Sequence, residues 1–250
     1  MPPEDRYPPR RPVTVVDVAQ PTPRNVRVTV QGDLADWPEP GPAAHIKVFL
    51  PDTPSGPVMR TYTVRRCDRE RGLVAIDFLL NEGLGPATQW AARAVPGMRL
   101  ELGGRSRSTF TLAEGAGSYL FIGDETALPA IATCLEMLPA SAVATAVIEV
   151  TEAGEAQPFA SDATVGGQWV LRGGSGPGLT ETALAEASAA PYTRVWVACE
   201  TGQMRDIRRR LLLAGVSADR LSTRGYWKRG EADHSDHDTG EDIAQDRESV

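Results

Sequence analysis

The sequence predicts two domains: an N-terminal antiparallel β-barrel, followed by an α/β domain built on a parallel sheet. Before about residue 110, short β-rich runs recur between Pro, Gly and Asp residues, which is typical of an antiparallel barrel. After residue 117, apolar strands alternate with helical patterns, which predicts a parallel sheet with flanking helices. A chain of 250 residues that is 41% apolar is long enough to bury two cores.

The first domain is predicted to span residues 12–112, after a flexible N-terminus of residues 1–11. The segment 85–95, "GPATQWAARAV", is the one helix predicted here, because Pro86 suits a first helical turn and Pro96-Gly97 would end the helix. The predicted strands are 13–18, 25–32, 45–51, 60–66, 73–80 and 98–104.

The second domain is predicted to span residues 117–230. Its predicted strands are 118–124, 144–150, 168–174 and 194–200, and its predicted helices are 125–139, 180–190 and 203–215. Ligands of such sheets bind at the carboxyl ends of the strands. Those ends are "GDET" (123–126), "VTE" (150–152) and "ACET" (198–201).

The net charge of −7 comes from one end of the chain. Residues 231–250 hold eight acids and one base, so the remaining residues are formally neutral. An acidic segment without aromatic residues predicts a disordered tail. A neutral body gives no basic field for a nucleic acid, and we expect no nucleic-acid partner.

The cysteine and histidine content of the chain argues against several further classes of protein. Cys67, Cys134 and Cys199 are odd in number and far apart, which fits a reducing cytoplasm rather than a disulfide framework. His45 is the only histidine before the tail, so neither haem ligation nor a Ser-His-Asp triad is expected, and we expect no resident metal.

No apolar run is long enough to span a membrane and the first residues have no signal-peptide core, so we expect a cytoplasmic protein, as a monomer.

Two short stretches could hold a phosphorylated, flat ligand. In "RTYTVR", alternation places Arg60 and Tyr62 on one face of a strand and Thr63 on the other. In "GPAT" (85–88), the free N–H groups of a helix start could bind an anion. Taken alone, the first stretch is equally consistent with an ordinary edge strand. The second, taken alone, is more often a simple helix start with proline at its usual position.

Longer segments carry a specific resemblance. "HIKVFLP", "RTYTVRRCD", "GDETALPAI" and "GYWKRG" follow one another between about residue 12 and residue 230. Together they resemble the siderophore-interacting protein family, which are FAD-dependent ferric-siderophore reductases of the ferredoxin-reductase-like superfamily. The motif R-x-Y-T alone would indicate only the wider group of flavoenzymes.

The resemblance implies a set of FAD contacts. Arg60 would pair with the pyrophosphate, Tyr62 would lie against the isoalloxazine ring, and Thr63 would lie near flavin N5, with Thr126 also bordering the flavin. The helix start at 85–88 would hold the phosphates. The complete implied cofactor-binding set is Arg60, Tyr62, Thr63, Asp77, Phe78, Asn81, Gly85, Pro86, Ala87, Thr88, Asp124, Thr126 and Ala127.

This chain departs from the family pattern at several positions. Asn81-Glu82 stands where the family has His-Gly, and Cys199 stands where the family has Gly; Cys199 and Glu200 would border a nicotinamide nucleotide. The predicted basic turn 224–230 would flank the substrate, although solvated surface charge is an equal alternative for it. The implied substrate residues are Arg105, Arg107, Arg224, Lys228 and Arg229.

The function that the resemblance implies is reduction of a ferric siderophore by FAD, with electrons from NAD(P)H or reduced ferredoxin. Electron transfer needs no acid–base residue, which agrees with the lack of a triad or carboxylate pair. Two alternatives stay open: a general NAD(P)H-flavin or ferredoxin-type oxidoreductase without a siderophore role, and a non-catalytic siderophore-binding protein.

Overall fold

The protein is described by a computed structural model that covers residues 10–51, 53, 56–80, 85–108, 110–113, 117–231 and 238–240, with backbone only for 105–107. The chain divides into two compact units, Met1–Thr111 and Leu112–Val250. The division lies within one residue of the predicted end of the first domain, and each unit is described by itself.

Within its described residues, the N-terminal unit is one antiparallel sheet of seven strands and a short helix. The strand order is β4-β3-β7-β1-β2-β6-β5. Inward-facing residues such as Val13, Ile46 and Trp90 form its core. The elements are β1 (Arg11–Thr22), β2 (Asn25–Gln31), β3 (His45–Leu50), β4 (Val58–Thr63), β5 (Arg66–Asp68), β6 (Leu73–Leu79), α1 (Pro86–Ala91) and β7 (Arg99–Arg107).

The single strand predicted at 60–66 is two strands, β4 and β5. The chain leaves one partner and joins another between them: the Val64 N–H donates to Ala44 O (2.8 Å), whereas the Arg65 N–H donates to Ala75 O (2.9 Å). Val64 is buried at this crossing. Alternation within the sequence cannot show such a change of partner, which leaves β4 at the edge of the sheet.

Helix α1 is shorter than the predicted 85–95, and the turn after it is fixed by a glycine. Gly97 has φ 96°, in the left-handed region that only glycine adopts without strain. In this conformation its N–H donates to Val15 O (2.8 Å), while the Val15 N–H donates to Met98 O (2.8 Å). These two bonds tie the chain after α1 to strand β1.

Within its described residues, the C-terminal unit is a parallel sheet of five strands flanked by helices, so the predicted fold class is confirmed. The strand order β10-β9-β8-β11-β12 is that of a doubly wound nucleotide-binding sheet. The elements are β8 (Ser118–Asp124), α2 (Leu128–Glu136), β9 (Val143–Val150), β10 (Thr164–Leu171), α3 (Leu179–Ala189), β11 (Arg194–Glu200), α4 (Thr201–Leu213) and β12 (Leu221–Trp227).

Two strands of this sheet differ from the prediction. Strand β10 begins at Thr164, earlier than expected, because it pairs with β9 from Val143 onwards. Within β10, Gly167 lies against the ring of Phe159, which stacks on Trp169 with 5.4 Å between ring centroids. The predicted basic turn 224–230 is wrong in its first half, since residues up to Trp227 belong to β12. Tyr226 packs there on Trp196 (6.1 Å between centroids).

Part of the acidic segment 231–250 contacts the rest of the C-terminal unit. Among its described residues, Asp238 pairs with Arg205 at 3.1 Å, and the Asp238 carbonyl accepts from the Gly225 N–H at 2.8 Å. Residues 238–240 therefore depart from the predicted disorder. The charge composition of the segment could not predict this contact, because composition does not show which acidic residue pairs with a basic residue on a packed helix.

The described helices are short. The longest, α4, has 13 residues, whereas a membrane-spanning helix needs about 20. Among the described residues, therefore, no helix is long and apolar enough to cross a membrane.

Replacing Gly97 by Ala is expected to destabilise the protein. An added Cβ would meet nothing within 4 Å among the described residues, so the cost is backbone strain alone, roughly 1 kcal/mol. The matched control is Gly176→Ala, which has equal space and no left-handed φ. Denaturant unfolding should show a loss for Gly97→Ala and no loss for Gly176→Ala; equal stabilities would contradict the conformational argument.

Candidate functional site

Strand β4 is an edge strand that has both faces partly open. All six of its side chains are half-buried, whereas the paired strand β3 alternates half-buried and buried residues. Arg60 lies opposite Val48 and Tyr62 lies opposite Ile46. An edge strand with exposed backbone groups and half-buried side chains can hold a flat ligand along its length.

Tyr62 belongs to an aromatic row on the inner face. Its ring contacts Phe78 (4.4 Å between centroids), and Phe78 contacts Trp90 (5.7 Å). Burial raises the pKa of Tyr62, so the phenol stays neutral at physiological pH. Arg60 lies on the same face, and its Nη1 donates to Met59 O at 2.7 Å.

Thr63 lies on the opposite face from Tyr62, beside His45. The same face carries Lys47, whose Nζ donates to Thr61 Oγ1 at 2.5 Å. A ligand could meet Tyr62 and Thr63 together only at the free edge of β4. We did not single out Lys47 from the sequence, although alternation along β3 places it next to the R-x-Y-T strand.

The side chains of Asp77 and Phe78 lie in the interior of the N-terminal unit. Buried Asp77 accepts two hydrogen bonds from Arg27 (2.6 and 2.7 Å) and lies 4.0 Å from the Arg65 Nε. The Phe78 side chain is 1% exposed. These two residues, which the resemblance places at the cofactor, would reach a ligand only through the backbone or through residues that they position.

The start of α1 offers few groups to an anion. Pro86 has no N–H, and the Gln89 N–H donates to Gly85 O (2.9 Å), so the helix leaves the Ala87 and Thr88 N–H groups outside its own ladder. The Thr88 hydroxyl is buried and donates to Leu79 O at 3.4 Å. The helix also has only six residues. Asn81 lies outside the described residues, as do the side chains of Arg105 and Arg107.

In the C-terminal unit, the Asp124 carboxylate connects the ends of three strands. It ends β8, is fully buried, and accepts from the Thr126 N–H (2.9 Å) and the Thr126 hydroxyl (2.5 Å) through Oδ1. Through Oδ2 it accepts from the Glu200 N–H (3.2 Å) and Trp227 Nε1 (2.7 Å). Burial raises the pKa of Asp124, and the bonds from Thr126 and Trp227 limit that rise.

The other residues predicted in "GDETA" differ in exposure. Thr126 is half-buried, so its side chain can meet a ligand. Ala127 is fully buried. Its methyl group occupies the space that a Cβ on Gly123 would need, 2.8 Å away. Ala127 therefore packs the strand-to-helix turn and does not present its side chain to a ligand.

Glu200 holds the start of α4 and the residues after β12. Its Oε2 accepts from the Gln203 N–H (2.9 Å) as a helix cap, and its Oε1 accepts from the Arg229 N–H (3.3 Å). Cys199 is fully buried, and burial, with the nearby carboxylates, raises the pKa of its thiol. The Cys199 side chain therefore packs in the core, so any contact with a nucleotide here would come from its backbone.

A second polar network joins the ends of β8, β9 and β10, and sequence reasoning missed it. Arg172 donates from Nε to Glu149 (2.8 Å) and from Nη1 to Glu125 (3.4 Å). The Thr151 N–H donates to Glu125 at 3.3 Å. Because the carboxyl ends of parallel strands meet at one edge, the "GDET" and "VTE" ends could have indicated this cluster.

The predicted basic residues near the C-terminus have mixed environments. Arg224 is half-buried within β12, Lys228 pairs with Glu231, and Arg229 is exposed. Among the described residues, no group of three or more His, Cys, Asp or Glu side chains could hold a metal ion.

Family models match residues in both units of the chain. Residues 53–108 match the domain described as "Siderophore-interacting FAD-binding domain", and residues 116–230 match "Siderophore-interacting protein". Ferric vibriobactin reductase ViuB of Vibrio cholerae is 28% identical over 240 residues, covering 85% of this chain and 87% of ViuB.

Solved structures give the same result. A siderophore utilization protein from T. fusca is 32% identical with a TM-score of 0.80, covering 92% of this chain and 97% of that chain. The ferredoxin reductase in carbazole 1,9a-dioxygenase, 17% identical with a TM-score of 0.68, shares the fold over 88% of this chain and 70% of its own.

Replacing Trp227 by Phe is expected to destabilise the protein by about 2 kcal/mol at neutral pH, because buried Asp124 loses a donor. The raised pKa of Asp124 means that the folded chain keeps a proton that the unfolded chain has released, so this carboxyl costs stability as pH rises. Without the Trp227 bond the pKa rises further. The deficit of the variant should therefore grow with pH above about 4.

Denaturant unfolding across pH measures this deficit. The control is Trp169→Phe, which removes an indole from the edge strand β10 instead, and its deficit should not change with pH. Arg172 is the charged group that acts on Asp124 and favours its ionised form. Because Arg172 stays ionised over this pH range, it adds no pH dependence of its own to the stability deficit. A deficit for Trp227→Phe that is independent of pH would contradict the role given to Asp124.

Proposed function

We propose that this chain, which belongs to the siderophore-interacting protein family, is an FAD-dependent oxidoreductase that reduces ferric siderophores and releases their iron as Fe(II). Its two units have the ferredoxin-reductase-like fold. The activity named for ViuB, ferric vibriobactin reduction, supports the ferric chelate as substrate.

The observation that carries the proposal is β4, an edge strand inside the matched FAD-binding domain that has Arg60 and Tyr62 on one face. A guanidinium binds a pyrophosphate through paired donors. A neutral, half-buried phenol ring suits an apolar, flat ring system. The residues present therefore fit FAD, with Arg60 at the phosphates, Tyr62 at the ring and the Thr63 hydroxyl at the strand edge.

The start of α1 supports a second phosphate contact. An added Cβ on Gly85 would meet no heavy atom within 4 Å among the described residues, so a phosphate can approach the backbone closely. The Ala87 and Thr88 N–H groups, which the helix does not use, would donate to it. FMN, with one phosphate, would use these contacts and Arg60 less fully.

The reaction needs electron exchange rather than acid–base catalysis. Bound FAD supplies the exchange between a two-electron donor and a one-electron acceptor. Hard oxygen ligands hold Fe(III) more tightly than Fe(II), so reduction weakens the ferric chelate. We propose NAD(P)H or reduced ferredoxin as the donor, with Thr126, Glu200 and the backbone of Asp124 and Cys199 lining the nicotinamide nucleotide site.

Basic side chains would attract an anionic chelate. Half-buried Lys47 is fixed on Thr61 beside the proposed flavin strand. In the C-terminal unit, Arg229 is exposed after β12 and would raise the local concentration of anions at low salt. Lys228 pairs with Glu231 and would contribute less to this attraction. Arg105 and Arg107 in the N-terminal unit and Arg224 in the C-terminal unit are further proposed substrate contacts of their own units.

The experiment that tests the function is a comparison of substrates with the purified protein. The protein should be yellow, release FAD on denaturation, and form Fe(II) from a ferric catecholate faster than it reduces quinones or free flavin. An absorbance spectrum without flavin after reconstitution, or a preference for quinones, would reject the ferric-siderophore assignment.

Arg60→Ala is expected to weaken FAD binding by roughly ten- to a hundredfold, because a phosphate loses a charged partner worth about 1.5–3 kcal/mol. Flavin fluorescence during titration of the apoprotein measures the affinity. Arg66→Ala removes an equal charge from an exposed position on β5 and should leave the affinity unchanged. Equal affinities of the two variants would refute the pyrophosphate contact.

A further inference from the structure

We propose that Asp238, Thr239 and Gly240 form a latch that docks on the outer edge of β12 and holds Trp227 on Asp124. The latch goes beyond the proposed function, because it concerns the C-terminal unit alone. It assigns a positioning role to a segment whose composition predicts disorder.

Three donors hold this segment: a backbone N–H and a hydroxyl of β12, and the guanidinium of Arg205 on α4. Strand β12 is last in the sheet order, so its outer backbone groups have no neighbouring strand in the described sheet. The Gly225 N–H donates to the Asp238 carbonyl (2.8 Å), and the Thr223 hydroxyl donates to the Thr239 carbonyl. Arg205 donates to the Asp238 carboxylate from Nη2 (3.1 Å to each oxygen) and from Nε (3.3 Å).

The contacts specify two of the three residues in the latch. The Asp238 carboxylate also accepts from the Gly240 N–H (3.0 Å), which closes a tight turn. Gly240 has φ 66°, and an added Cβ would lie 3.3 Å from both Arg208 Cδ and Met204 Sδ. The first position therefore needs Asp and the third needs Gly, whereas Thr239 is held through its backbone carbonyl.

The latch bonds Gly225 immediately before β12 changes register. Cys199 pairs with Gly225, but Glu200 pairs with Trp227, so Tyr226 is an extra residue in β12. A bulge of this kind redirects the side chain that follows it. Here that side chain is Trp227, whose indole donates to Asp124 and whose carbonyl accepts from Thr201 Oγ1 (3.0 Å).

Gly225 thus lies beside Cys199 of β11 in the sheet register, while its N–H is bound from the outer side by Asp238. Without the outer bond, β12 is an edge strand that contains a glycine and a bulge, which favours local opening. We infer that the latch suppresses this opening and keeps Trp227 fixed at the carboxyl edge of the sheet.

Hydrogen exchange of the full-length chain tests the latch. Asp238→Asn weakens the pair with Arg205, and Gly240→Ala strains the turn without changing any charge. Both should raise exchange of the Gly225 amide, within residues 221–227, by roughly tenfold. Asp162→Asn, the same charge change at an exposed site just before β10, should leave it unchanged. Wild-type exchange in both latch variants would overturn the proposal.

A double-mutant cycle tests the link to Trp227. If the latch acts through Trp227, the loss of stability from Asp238→Asn should be smaller in the Trp227→Phe background than in the wild type. Additive losses would overturn the positioning role. Arg205→Gln tests the pairing with Asp238 in a second way. Combined with Asp238→Asn, it should reduce stability no more than either change alone. Fully additive losses of stability would contradict the pairing.

Discussion

A buried carboxylate, Asp124, sets the geometry of the edge where the C-terminal unit would meet a ligand. An ionised group away from water is costly unless it is fully hydrogen-bonded. Asp124 meets this need with donors from its own turn, from the end of β11 and from the end of β12. Three chain segments that are distant in sequence are therefore fixed to one another at this edge.

The N-terminal unit uses buried charge in a related way. Asp77 is held by Arg27 on β2 and lies near Arg65, which follows the crossing between β4 and β5. That crossing leaves β4 at the sheet edge with Arg60 and Tyr62 half-buried. Asp77 and Asp124 thus serve the architecture of their units, the first inside the sheet and the second at its carboxyl edge.

The regular strands and the parallel sheet with flanking helices were predictable from the sequence, because alternation and apolar runs report burial directly. The order of the strands within each sheet is seen only in the structure. The β4–β5 crossing, the early start of β10 and strand β12 were not predictable, since each depends on a partner elsewhere in the chain: Ala75, Val143 and Trp196 respectively. Motif resemblance proposed Arg60, Tyr62 and Thr126 as site residues, and the structure shows all three half-buried. The resemblance could not show that Phe78, Ala127 and Cys199 are buried, nor that Asp238 meets Arg205.

In the reaction proposed here, flavin held by this chain passes electrons to a ferric chelate. The most direct measurement is a single turnover without oxygen: the protein is reduced, mixed with a ferric siderophore, and followed by flavin absorbance and by a chelator that traps Fe(II). The account predicts that flavin reoxidation and Fe(II) formation share one rate, with about two ferric chelates consumed per FAD. Reduced flavin that persists in the presence of the ferric siderophore would contradict it.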